Sequence, residues 1–378
     1  MMRRNIDIKF STSPRYISNL KKMLETVLGG NSSKTCVVYT NTAKLAIDLK
    51  ADIDTWLNIT QPFDGDSVNI YGDQEQELKQ ATVYNFTDED SGENVIGGGK
   101  FRSRILIATS GCIGAGLDSR KIHLVYRIGF PASVIDLIQE MGRCGRGRLN
   151  HGENIDQYFL CVSLKDFCYM YKRIHKRGGK HGMYKEVDEQ KDKSEMILSV
   201  EEQEKLQRDR LTEVLSLLVL DNGCIHSYLE NYMRSPAEAS DLGNEKGKCI
   251  KSCFSCCKDV QNYIIPICQR ETRKFLSRCF IQNGNINITP LELANKIGEY
   301  DNYQTAIYGK NKEKDVCKYH TEGTVMQLIA SGILTLQVIN VKIDGRNTQQ
   351  IVVCRLTIID DVMPAFLEND RWKRISHF

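Results

Sequence analysis

Arg104-Ile-Leu-Ile-Ala-Thr-Ser-Gly-Cys-Ile-Gly-Ala-Gly-Leu-Asp118 is a short apolar run that stops abruptly in a turn built from glycines and small polar groups. A run of six residues without alternation reads as a strand covered on both faces. Its neighbours read the same way. Residues 35–40 (Thr-Cys-Val-Val-Tyr-Thr), 68–71, 123–128 and 157–162 are short apolar runs, and helical patterns over 43–49, over 74–86 and after Pro131 separate them. Buried strands alternating with helices predict an α/β fold with a parallel sheet. In such a sheet ligands collect beyond the carboxyl ends of the strands, which is where the 110–118 turn falls.

Within this block, residues 88–100 are acidic and then glycine-rich, and they read as an insertion without periodicity. Residues 172–185 are basic and 186–205 densely charged, and they predict an exposed linker passing into a helix that turns apolar over 211–220. Beyond about residue 283 come a helix after Thr289-Pro290 and another near 321–330. Two strands, 335–341 and 349–359, then flank an Asp344-Gly345 turn. Helix, helix, hairpin is the order of a winged helix. No internal repeat is evident.

The segment Pro131-Ala-Ser-Val-Ile-Asp-Leu-Ile-Gln-Glu-Met-Gly-Arg-Cys-Gly-Arg-Gly-Arg148 opens with Ser133 and, three residues on, Asp136, a pairing that resembles a capping box and marks a helix start. If the helix persists, Gln139, Arg143 and Arg146 stand at i, i+4 and i+7 on one face. A carboxamide and two guanidiniums beside Gly142, Gly145 and Gly147 suit a developing phosphate charge, as an arginine finger does. A solvated basic helix end would serve equally for a lone arginine pair, since cations are favoured near a helix C-terminus.

Taken together and in order, residues 35–41 (through Asn41), 107–118 and 139–146 resemble motifs IV, V and VI of superfamily-2 helicases, so residues 1–165 are expected to be a second RecA-like lobe. That resemblance implies Arg146 as the finger at the γ-phosphate, with Arg143 beside it and Gln139 coupling two lobes. Asp118 is implied at the nucleotide sugar, with Gly114 and Gly116 in the same turn. Thr40, Asn41, Thr109 and Ser110 are implied along the phosphates of a DNA strand, where contacts position without reading sequence.

Fourteen cysteines in a long chain without an export signal read as reduced thiols plus a metal site. Cys253-Phe-Ser-Cys256 has knuckle spacing for one tetrahedral zinc, and Cys224 and Cys249 lie close enough upstream to complete four ligands. Cys257 leaves the register open, and His226 is an alternative ligand. Cys224-Ile-His-Ser-Tyr-Leu-Glu-Asn-Tyr232, a polar gap and then 252–257 are similar to the RecQ zinc-binding subdomain, expected over 223–260. Phe254 departs from the acidic residue usual in that family. RecQ proteins continue into a winged helix, expected here over 280–378 after a linker and helix at 166–222, with Arg346 at the hairpin tip available to a phosphate.

The implied activity is that of the C-terminal part of an ATP-dependent 3′–5′ DNA helicase acting in recombination, repair or replication. It would use Zn²⁺, with ATP and Mg²⁺ once a first RecA-like lobe is present in cis, on single-stranded DNA and duplex junctions, in the nucleus. A non-hydrolytic DNA-binding module and a degenerate paralogue acting as an interaction partner are the other readings. A P-loop and an acidic box belong to the first lobe. The nearest string, Gly29-Gly-Asn-Ser-Ser-Lys-Thr35, lacks the required glycines and precedes a strand instead of following one. The composition, 41% hydrophobic and 26% charged with net charge +3, places nucleic-acid binding in local basic patches. With no long apolar stretch, a membrane role or secretion is not expected.

Overall fold

A computed structural model describes residues 6–12, 15–29, 34–63, 65–87, 103–113, 122–145, 156–178, 198–219, 224–233, 253, 275–276, 280, 287–299, 314–343 and 347–356. The chain divides into two compact units: residues 1–131, 135–162 and 223–257 form the first, and 132–134, 163–222 and 258–378 the second.

The first unit holds a six-stranded sheet of β1 (Ile6–Ser11), β2 (Thr35–Thr40), β3 (Asp66–Ile70), β4 (Ser103–Thr109), β5 (Ile122–Ile128) and β6 (Asp156–Cys161). Its order is β1-β6-β5-β2-β4-β3 and every pairing is parallel. Position in the sheet explains the sequence pattern. Interior β2 and β4 are buried along their whole length, whereas edge strands β1 and β3 mix buried and half-buried positions.

One face of the sheet carries Cys36, Val38, Ile105, Ile107, Leu124, Tyr126, Ile128, Phe159 and Cys161. Against it lie α1 (Tyr16–Leu28) through Leu20, Leu24 and Leu28, and α2 (Ala43–Thr60) through Ala46, Leu49, Ile53 and Leu57. Spacings of three, four and seven keep those side chains on one stripe of each helix. Thr42 caps α2, its hydroxyl accepting from the Leu45 N–H at 3.1 Å. Arg104, buried beneath Phe63, donates to the carbonyls of Leu28 (2.8 Å) and Lys34 (3.1 Å), tying the end of α1 to the start of β2. The Gly29–Thr35 string thus leads into β2, as its rejection as a P-loop requires. α3 (Gln76–Thr87) lies between β3 and β4, and α4 (Val134–Met141) between β5 and β6. α7 (Ile225–Tyr232) belongs to this unit, and Cys253 forms an isolated parallel bridge with Ile8 of β1. A parallel sheet with helices between its strands is the α/β architecture expected, and this lobe is RecA-like.

The second unit contains α5 (Leu164–Gly178), α6 (Val200–Val219), α8 (Pro290–Glu299), α9 (Lys314–Ala330) and an antiparallel hairpin of β7 (Leu334–Ile343) and β8 (Asn347–Leu356). Thr289 and Glu292 cap α8 reciprocally, each backbone N–H meeting the other's side chain at 2.9 and 3.2 Å. Cys354 of β8 donates to Ile288 at 2.8 Å, so a third segment joins the hairpin. Leu211, Val214, Leu215 and Leu218 of α6 are buried, as are Val325, Met326 and Leu328 of α9. Ser216 of α6 donates to the Ala330 carbonyl at 3.4 Å, and Tyr171 of α5 to the Leu336 carbonyl at 2.8 Å. α5 occupies residues read from sequence as the start of an exposed linker. Among the described residues no helix is long and apolar enough to cross a membrane.

Candidate functional site

β2 and β4 are neighbours, and their registers place Thr40 directly beside Thr109. The chain leaves both strands at the same edge, so Asn41 and Ser110 come together there, and the Ser110 N–H donates to the Thr40 carbonyl at 3.1 Å. This is the carboxyl edge, where backbone groups freed from the ladder face outward. Thr40 is fully buried, its hydroxyl directed at the carbonyls of Thr42 (3.2 Å) and Ala108 (3.5 Å). Thr109 is buried too and lies 2.8 Å from the Cys112 sulfur, while Ser110 is exposed. The four residues assigned to the DNA strand are therefore one cluster, with Asn41 and Ser110 its outer members.

Beneath them is a group that the sequence reading passed over. Tyr39 pairs with Arg127 in the β2–β5 register, so Arg127 projects from the face opposite the α1–α2 core. Its side chain has 0% exposure, yet each of its five N–H bonds has an acceptor. Nε donates to the Gly129 carbonyl at 3.0 Å and Nη2 to the Phe130 carbonyl at 2.7 Å. Nη1 meets the Glu140 carboxylate at 2.9 Å and the Ser110 hydroxyl, and Nη2 also meets the Asn41 side-chain oxygen. Tyr158 donates to the other Glu140 oxygen at 3.4 Å. Burial pushes the Glu140 carboxyl up to about 7 against the pull of Arg127. The same burial raises Tyr39 and Tyr158, with Glu140 adding to both and Arg127 opposing; Arg143 also opposes at Tyr39 and hydrogen-bonds to it. The signal available in sequence was a lone charge inside the apolar run 122–128, since a charge in a buried strand needs a partner.

α4 begins after Ser133, where the capping pattern puts it, but helical geometry does not persist along the expected face. α4 ends at Met141. Gly142 still donates to Ile138 at 2.8 Å, then Arg143 reaches back to Glu140 at 3.2 Å and Cys144 to Met141 at 3.1 Å, a tightening into three-residue turns. Gly145 follows with φ of 72°, a left-handed conformation that ends the helix. Gln139 is exposed on α4 and half-buried Arg143 stands in the turn, so the two are not on one continuous helical stripe. Arg146, Gly114, Gly116, Asp118 and Arg346 lie outside the described residues.

The thiols of Cys224 and Cys253 are 3.9 Å apart and form no disulfide. Two thiolates on one tetrahedral zinc, each about 2.3 Å from it, sit about 3.8 Å apart, so this separation fits a shared metal. His226 is buried on the adjoining turn of α7. Among the described residues no group of three or more His, Cys, Asp or Glu side chains could hold a metal ion. Cys249, Cys256 and Cys257 lie outside them.

Residues 17–148 match the family described as helicase conserved C-terminal domain. No curated protein matches the chain in sequence. Among solved structures it is similar to Mycobacterium smegmatis helicase Lhr bound to ssDNA and AMP-PNP, at 18% identity and a TM-score of 0.32 over 45% of this chain and 21% of that one. It is also similar to the C-terminal part of the Fun30 ATPase domain (14%, 0.29, over 51% and 54%). A third is Mss116p DEAD-box helicase domain 2 bound to an RNA duplex (14%, 0.31, over 60% and 87%). The chain thus spans about a fifth of the first of these proteins and about half of the second. Residues 17–148, which carry α1 to α4 and strands β2 to β5, are thus similar to the helicase conserved C-terminal domain.

Proposed function

We propose that this chain is part of an ATP-dependent DNA helicase of superfamily 2 and of RecQ type, moving 3′ to 5′ in repair, recombination or replication within the nucleus. The observation that carries the reading is the cluster of Thr40, Asn41, Thr109 and Ser110 on one sheet edge, above a buried guanidinium. A carboxamide donor at a strand end, here the outward N–H groups of Asn41, contacts phosphates without reading bases, as a motor that travels over any sequence requires. Gln139, Arg143 and Arg146 would face a nucleotide held by a first RecA-like lobe, with Gly114, Gly116 and Asp118 at its sugar side. No P-loop string occurs in the 378 residues, so ATP and Mg²⁺ would be gripped by that lobe.

Cys224 and Cys253, with Cys249 and Cys256, would hold one zinc. Bound there, zinc supplies a structural cross-link between α7 and the segment bridged to β1, and the thiols are the groups that must deprotonate to accept it. The second unit, with α8, α9 and the β7–β8 hairpin joined by Ile288, supports a winged helix, and Arg346 would lie at its wing tip.

The test is fluorescence anisotropy of a labelled single-stranded oligonucleotide, with ATP turnover measured in parallel. The chain should bind with an affinity that falls steeply with salt, and Asn41→Ala should weaken binding about tenfold, the size expected when one or two hydrogen bonds to charged oxygens are lost. The chain alone should not turn over ATP. Absence of binding at low salt would overturn the nucleic-acid reading, and DNA-stimulated turnover by this chain would overturn the need for another lobe.

A further inference from the structure

Arg127 is an improbable residue for a central strand. A buried ion pair can often be replaced by apolar side chains without loss of stability, so stability alone does not account for it. What an arginine supplies that a leucine cannot is a planar fork with five fixed donor directions. Here the five directions join four elements: Asn41 after β2, Ser110 after β4, the Gly129 and Phe130 carbonyls after β5, and Glu140 on α4.

We infer that Arg127 is a positioning residue for the sheet edge proposed to bind nucleic acid: clamped by Glu140, its guanidinium sets the orientation of Asn41 and Ser110. The inference rests on the proposed function of that edge. The chemistry at each contact is directional. A guanidinium has no acceptor, so Asn41 must turn its carboxamide oxygen toward Arg127, which points the amine end the other way. Ser110 accepts from Nη1, which commits its own proton to the other acceptors within reach, the Glu140 carboxylate at 3.4 Å and the Thr40 carbonyl at 3.5 Å. One guanidinium thereby fixes the rotamers of the two outer members of the cluster. Glu140 adjoins Gln139 in α4 and its backbone carbonyl receives Arg143, so the clamp also reaches the segment read as the nucleotide-facing side.

The clamp carries a titratable group. Glu140, raised to about 7, is faced by Arg127 from β5, Tyr158 from β6 and Ser110 beyond β4, with Tyr39 of β2 close enough to feel its charge. Asp136 on its own helix and Arg143 in the following turn complete the surroundings. Protonation of Glu140 removes the charge that holds the fork, while Arg127 stays charged throughout.

The experiment is anisotropy with the same oligonucleotide and the full chain, at fixed ionic strength from pH 6 to 8.5. Wild-type affinity should drop as pH falls through about 7, and Glu140→Gln, nearly isosteric, should bind at pH 8 as weakly as wild type does at pH 6, with the step abolished. Arg127→Lys, a point charge that cannot span five acceptors, should weaken binding about tenfold, and adding Asn41→Ala to it should cost nothing further. A purely structural role would lower the melting temperature and leave the pH profile intact. The inference is overturned if Glu140→Gln keeps the wild-type profile, or if Arg127→Lys and Asn41→Ala weaken binding additively. Should Arg127→Lys fail to fold, Glu140→Gln decides alone. Absence of binding by the wild-type chain would overturn the nucleic-acid reading itself and this inference with it.

Discussion

Replacing Arg127 by methionine, which is similar in length and apolar, removes the charge while filling most of the volume. In the native lobe it would strand the Glu140 carboxylate, whose side chain is 7% exposed, together with the carbonyls of Gly129 and Phe130. Leaving one member of a buried ion pair without its partner costs about 3–5 kcal/mol. Against a domain stability of about 5–15 kcal/mol this is a large fraction. The cost should depend on pH. With Arg127 gone, the hydrogen bonds from Tyr158 and Ser110 are left to oppose the desolvation of Glu140, so its pKa rises further above 7, and the folded variant binds a proton that the unfolded chain releases near its ordinary value. The variant therefore loses stability as pH rises above 7, where the wild type has already levelled, and the difference between them is larger at pH 8 than at pH 6. Urea unfolding followed by circular dichroism measures it as a shift in midpoint at unchanged slope. Arg127→Met with Glu140→Gln, which removes both charges, should recover at least half of the loss. A single-variant loss below about 1 kcal/mol, within the ordinary range for point substitutions, or a loss independent of pH would refute the pairing as described.

Metal analysis of the purified chain should find one zinc, lost in Cys253→Ser, and a chelator should lower the melting temperature; an unchanged melting curve with chelator present would exclude the site. Gly145→Ala should destabilise the first unit by about 1–2 kcal/mol, because φ of 72° forces an L side chain toward its own carbonyl. A urea midpoint shift no larger than the roughly 0.5 kcal/mol of an ordinary surface change would show that the turn after α4 does not need that conformation.

The interior of the sheet was legible because a strand covered on both faces must be apolar throughout: residues 35–40, 103–109, 122–128 and 156–161 announce themselves, each within a residue of its expected bounds. β1 was not read as a strand. Only Ile6, Ile8 and Phe10 alternate inward, and its partner β6 lies some 150 residues away, a pairing that no local window contains. α1 was missed for a related reason. Its apolar stripe of Leu20, Leu24 and Leu28 acquires meaning only when the sheet face it covers is known.

The candidate site divides along the same physical line. Thr40, Asn41, Thr109 and Ser110 are singled out in sequence only by the resemblance to helicase motifs; that they lie together follows because β2 and β4 are neighbours, so the turns after them meet. Arg127 and Glu140 could be flagged as misplaced charges but not paired, since their meeting depends on where α4 lies relative to β5. The end of α4 illustrates the opposite error. The spacing of Gln139, Arg143 and Arg146 is helical only if the backbone is, and glycines at 142 and 145 remove the side-chain constraint that would keep it so. Arg143 instead sits in a tight turn whose carbonyl partner is Glu140, the residue that also clamps Arg127. A perturbation of Glu140 should therefore reach Arg143 through the Glu140 backbone carbonyl and Asn41 through the guanidinium of Arg127, which bonds to both Glu140 and Asn41.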